Sequence, residues 1–114
     1  MNLSQKHCKP CEVGAPPLSS AEIQELSKGI EDWVIEEDRK LKKTFVFKDF
    51  KEALKFVTEV GKIAKSEGHH PDICIFDYKK VGIELFTHAI DGLSENDFIL
   101  ATKIDELQKK SILE

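Results

Sequence analysis

Apolar residues recur along this chain with two periods, one helical and one of two residues, and the switches between them predict its elements. Ile23, Leu26 and Ile30 share one helical face. That helix is opened by Ser19 and Glu22 at capping-box spacing and closed near Gly29. Trp33-Val34-Ile35 is a short apolar run suited to a strand, and the polar stretch Glu36 to Lys40 turns the chain. From Leu41 the pattern alternates, with Leu41, Lys43, Phe45 and Phe47 on one face and Lys42, Thr44 and Val46 on the other. Asp49 and Glu52 open a second helix whose stripe is Phe50, Ala53, Leu54, Val57, Val60, Gly61 and Ala64. Gly68 suits a left-handed helix end, and Pro71 forbids continuation. Two more strands follow, over 72–78 and 81–87, joined by a tight turn at Lys79-Lys80. Ser94 to Asp97 then opens a third helix that buries Leu100, Ala101, Ile104 and Leu107.

The order helix, hairpin, helix, hairpin, helix predicts an α+β fold. A four-stranded antiparallel sheet with three helices packed on one face (α-β-β-α-β-β-α) satisfies it with short connections. The pattern divides the chain into a flexible N-terminal tail, residues 1–17, and one domain, residues 18–114. Phe45, Phe47, Phe56, Phe76, Phe86 and Phe98 are expected in the core, Tyr78 packed in the second hairpin and Glu84 solvated on its strand.

Composition narrows the function classes. The chain is 40% hydrophobic and 33% charged, which suits a globular domain rather than a disordered one. A net charge of −4 with interspersed lysines argues against direct electrostatic binding of nucleic acid. No apolar run approaches the roughly 20 residues of a membrane span, and Met1 to Gly14 carries no apolar signal segment. The expected location is therefore cytoplasmic, with no membrane partner. Cys8, Cys11 and Cys74 are an odd set that predicts no disulfide framework. Cys8 and Cys11 have CxxC spacing, but only His7 lies near, short of the four ligands of a structural zinc.

The chemistry points to histidines. His69 and His70 are adjacent, held between Gly68 and Pro71 at a predicted helix–strand junction. A helix C-terminus favours an imidazolium, so capping is one reading of a histidine there. Two in succession pinned by Gly and Pro suit a second reading, proton transfer near neutral pH. His88 closes the fourth strand, and hairpin pairing would bring it to the sheet end where Pro71 begins the third. Adjacent histidines rarely ligate one ion together, and no carboxylate at fitting spacing joins them, so no metal is expected.

The segments Glu67-Gly68-His69-His70-Pro71-Asp72, Tyr78, Thr87-His88 and Gly92-Leu93-Ser94-Glu95-Asn96-Asp97 resemble the signature of the pterin-4a-carbinolamine dehydratases. The similarity spans roughly Leu18 to Leu107. One position departs: four residues before the first histidine the family often has an acid, and here it is Lys65. The resemblance implies an enzyme that dehydrates 4a-hydroxytetrahydropterin to quinonoid dihydropterin without metal or organic cofactor. It implies His69 and His88 as the acid/base pair and His70 as the residue that positions the pterin. Pro71, Thr87, Ala89 and Ile90 are implied to meet the substrate. Asp97 would orient a histidine or, at capping-box distance from Ser94, serve the helix alone. A homo-oligomer, dimer or tetramer, is implied as well. Two alternatives accompany this reading: a non-enzymatic dimerisation partner of a transcription factor, and a pterin-binding role in molybdopterin metabolism.

Overall fold

Ser19 starts the domain with a complete capping box. Its hydroxyl accepts from the Glu22 N–H, and the Glu22 carboxylate accepts from the Ser19 N–H. The helix so opened, α1 (Ser20–Ser27), buries Ile23. The structure is a computed structural model that describes residues 3–9 and 15–113, with 110–113 as backbone only. Cys11, the second member of the CxxC pair, lies outside the described residues.

Strands β1 (Val34–Glu36) and β2 (Lys40–Val46) form the first hairpin, with Ile35 opposite Leu41. Asp49 then caps α2 (Phe50–Glu67) by accepting from the Glu52 N–H at 2.9 Å. The buried face of α2 is Ala53, Phe56, Val60 and Ala64. Phe50 and Leu54, assigned to this stripe by periodicity, sit on its flank and are about half exposed. Strands β3 (Asp72–Phe76) and β4 (Lys80–Leu85) make the second hairpin, and α3 (Glu95–Leu113) completes the chain.

The sheet order is β1-β2-β4-β3, antiparallel throughout. Leu41, Phe45, Val81, Ile83 and Leu85 point to one face, where they meet Ile23, Phe56, Val60, Phe98, Leu100 and Ile104 from the three helices. The predicted α+β architecture is therefore the observed one. Phe98 is fully buried, and truncating a core phenylalanine to alanine costs about 3–5 kcal/mol.

Three details of the second hairpin differ from the sequence reading. The turn is Asp77–Lys79 rather than Lys79-Lys80, because Asp77 and Tyr78 adopt left-handed backbone (φ 50° and 48°) and reverse the chain earlier. Tyr78 consequently projects into solvent instead of packing in the hairpin, and Phe76 lies on the exposed outer face of the sheet instead of in the core.

A buried carboxylate joins the sheet to α3. Asp105 accepts from the Trp33 indole N–H at 3.0 Å and from Lys43 Nζ at 2.8 Å. Lys43 thus keeps its predicted inward face because an acid awaits it there.

The N-terminal segment lies along α2 and α3. Leu3–Gln5 forms a short 3-10 turn against α3, where Lys103 Nζ donates to the Ser4 carbonyl at 2.8 Å. Lys6 pairs with Glu95 at 3.1 Å. Farther on, Pro17 crosses the loop after β4 so closely that a Cβ on Gly92 would sit 2.7 Å from the Pro17 ring. The Leu18 N–H donates to the Leu93 carbonyl beside it.

Candidate active site

Gly68 turns the chain off α2. Its left-handed backbone (φ 67°, ψ 25°) ends the helix, and the His69 N–H still donates to the Ala64 carbonyl. An L-residue there would be strained by about 1–2 kcal/mol. The register Asp72 opposite Glu84 then places the start of β3 and the end of β4 at the same sheet end. Beyond β4, Thr87 bridges to Gly92, and the 3-10 turn His88–Ile90 fills the loop between them.

At this junction His69 Nε2 lies 2.7 Å from Asp97 Oδ1. The other oxygen of Asp97 accepts from Thr87 Oγ1 at 2.7 Å and from the Ser94 N–H at 3.0 Å. Asp97 is fully buried, so its three hydrogen bonds compensate its desolvation. It thus contacts both the Ser94 N–H at the start of α3 and the His69 ring. Thr87 Oγ1 also bonds Ser94 Oγ at 2.9 Å, which locks the β4 loop to α3.

His69, His70 and His88 line a single cavity of about 560 Å³, within the range of small-ligand sites. His69 is largely buried, whereas His70 and His88 are exposed at the opening. The ring of His88 stands edge-on to Phe86, centroids 4.7 Å apart. Thr87 and Ala89 also face the cavity. Pro71 and Ile90 do not line it: Pro71 immediately precedes β3, and Ile90, the last residue of the 3-10 turn, is buried. Among the described residues no cluster of three or more His, Cys, Asp or Glu side chains is arranged to hold a metal ion.

Several cavity residues are given no place in the site by the sequence. Phe86, expected in the core, forms part of the wall, and Cys8, Lys9, Lys65, Ser66, Glu67 and Asn96 add to the polar lining. Glu67 accepts from the Cys8 N–H at 2.7 Å and pairs with His7 at 2.9 Å, with Lys103 at 3.7 Å. Burial pushes Glu67 up, but the Cys8 N–H and the His7 ring outweigh it and hold the carboxyl below the usual range. Asn96 clasps the backbone of Lys9, accepting from its N–H at 2.9 Å and donating to its carbonyl at 2.5 Å. Burial, with Glu67 and Asp97 nearby, pushes the Cys8 thiol up to about 12. No periodicity announces these contacts, which join residues 59 or more positions apart.

The profile of the family described as "Pterin 4 alpha carbinolamine dehydratase" matches residues 16–107. A protein of Alkaliphilus metalliredigens is 49% identical over 96% of this chain and 98% of its own length. Another, of Rubrobacter xylanophilus, is 44% identical over 92% of this chain and 97% of its own. Both carry the name "Putative pterin-4-alpha-carbinolamine dehydratase". A solved structure titled as a transcriptional coactivator/pterin dehydratase from Brucella melitensis superposes with a TM-score of 0.75 at 28% identity, covering 81% of this chain and 98% of that one. The chain belongs to the pterin-4-alpha-carbinolamine dehydratase family, and so to a class of hydro-lyases. No helix among the described residues is long and apolar enough to cross a membrane.

Proposed function

We propose that this chain removes water from 4a-hydroxytetrahydropterins, giving quinonoid dihydropterin, by histidine acid/base catalysis. The observation that carries the reading is the shared cavity of His69, His70 and His88, with the first ring fixed by a buried carboxylate.

Hydroxide leaves poorly, so the 4a-oxygen must gain a proton as its C–O bond breaks, and N5 must lose one. Asp97 accepts from Thr87 and Ser94 as a carboxylate does, so His69 donates to it through Nε2–H. That leaves Nδ1 as the His69 nitrogen able to exchange a proton with substrate. His88, at the opening on the far side of Thr87, is the second acid/base group, and Phe86 limits where its ring can swing. His70 positions the heterocycle. Two proton transfers of this kind supply about 10²–10⁴-fold each. Electrons stay within the pterin, so the reaction as written needs neither metal nor redox cofactor. The reaction would serve cytoplasmic recycling of a tetrahydropterin after a hydroxylation.

A homo-oligomer accompanies this reading, because the outer sheet face exposes Val46 and Phe76 on either side of Lys80, and Val34 farther along it. Light scattering would return a single-chain mass if it is wrong.

The test is a dehydration assay on the intact chain and on His69→Ala, His70→Ala and His88→Ala. Loss at His69 or His88 should lower kcat by about 10²-fold or more, and loss at His70 should chiefly raise KM. A folded triple variant that dehydrates normally would remove the assignment.

A further inference from the structure

Two lysines stand on the exposed rim of the histidine cavity. Lys9 is held there by its backbone, whose N–H and carbonyl are both taken by the Asn96 side chain. Lys65 projects from the last turn of α2, three residues before the Gly68 cap. Neither ammonium has an ion-pair partner among the described residues. The acid of the same wall, Glu67, is already engaged by the Cys8 N–H, His7 and Lys103, and Asp97 behind it by His69, Thr87 and Ser94. The rim is therefore net cationic although the chain as a whole carries −4. The helix C-terminus accounts for a cation at Lys65 but not for a second, delivered by a distant segment and clasped at two backbone atoms.

We propose that Lys9 and Lys65 select pterins whose side chain ends in an anion, a phosphate ester or a carboxylate, at the end remote from the reacting carbon. The inference rests on the pterin reading of the cavity and adds the class of side chain. The ring would enter among the three histidines, and its substituent would extend outward to the rim. Two exposed charge–charge contacts with a phosphate should together strengthen binding by about tenfold at low salt.

The test compares three 4a-hydroxytetrahydropterins that differ only at position 6: a neutral dihydroxypropyl group, a hydroxymethyl phosphate and a carboxylate-ended chain. KM for the anionic substrates should be about tenfold lower than for the neutral one, with similar kcat. The advantage should vanish in Lys9→Ala/Lys65→Ala and invert in Lys65→Glu. A preference for phosphate alone or carboxylate alone would fix which anion is meant. Equal KM values in the parent chain, or a preference that survives the double substitution, would overturn the inference. Equilibrium binding of 7,8-dihydropterins bearing the same substituents, followed by pterin fluorescence, separates this claim from catalysis. If nothing turns over yet the anionic dihydropterin binds tighter through the lysines, the dehydration reading fails and the rim stands. If no dihydropterin binds, both fail.

Discussion

His69 Nε2 lies 2.7 Å from Asp97 Oδ1, bridging 28 residues of sequence between the end of α2 and the first turn of α3. Because Thr87 and Ser94 saturate the second oxygen, the carboxylate has one orientation and the imidazole inherits it. Asp97→Asn would present an amide N–H to the same nitrogen and force the ring into its other tautomer. The expected outcome is a kcat lowered by about 10²-fold with little change in KM. Circular dichroism should show the fold retained, at a stability cost of about 1–3 kcal/mol for the weakened buried bonds. A variant with normal turnover would separate Asp97 from the chemistry.

Asp105 tests the core rather than the site. Lys43→Met keeps the length of the side chain and leaves the buried carboxylate without its cation, with only Trp33 and the Glu31 N–H as donors. Denaturant unfolding should report a loss of about 3 kcal/mol. Trp33→Phe, which removes one neutral donor, should cost less than Lys43→Met in electrostatic terms, though it also loses packing against Phe45.

Acid should loosen the N-terminal segment before it unfolds the domain. A carboxylate whose folded pKa lies below its unfolded value adds stability above the unfolded value and loses it as pH falls through the folded one. Glu67 is such a group, and its partners Cys8 and His7 belong to the segment. Amide exchange should show the Cys8 N–H protected at pH 6 and its protection falling below about pH 4. Glu67→Gln should abolish that pH step. Unchanged protection at low pH would show that the Ser4, Lys6 and Lys9 contacts hold the segment alone.

Cys8 should be chemically quiet. The thiolate is the nucleophile, and with the thiol raised to about 12 only about one molecule in 10⁴ carries it at pH 8. Iodoacetamide should therefore modify exposed Cys74 well before Cys8, and Cys8 should react only in the denatured chain. Rapid labelling of native Cys8, followed by peptide mass spectrometry, would contradict its environment.

What could be read from sequence divides by range. Ser19 with Glu22 and Asp49 with Glu52 are local signals, and both helix starts fall where those residues place them. The alternation through β2 sets which residues face the helices, because one face must be dry. The second turn lies earlier than expected because Tyr78 follows Asp77 into left-handed backbone, which an aspartate tolerates but a tyrosine does not advertise. Phe86 is expected in the core with the other phenylalanines, but it follows Leu85, the last inward residue of β4, and so falls on the other face, in the cavity wall. The histidine triad was legible from the spacing of His69, His70 and His88 around one hairpin. The other wall was not, since nothing near Cys8 or Lys9 in sequence reveals that Glu67 and Asn96 will receive them.

The near-contact of Pro17 with Gly92 has a consequence for how the sequence can change over generations. Even one methyl group at position 92 would collide with the proline ring, so a lineage could acquire alanine there only after giving up that ring or letting the entering strand of chain move aside. Positions 17 and 92 should therefore drift as a couple, so that a proline outside the histidine cavity limits how the loop bearing His88 can vary.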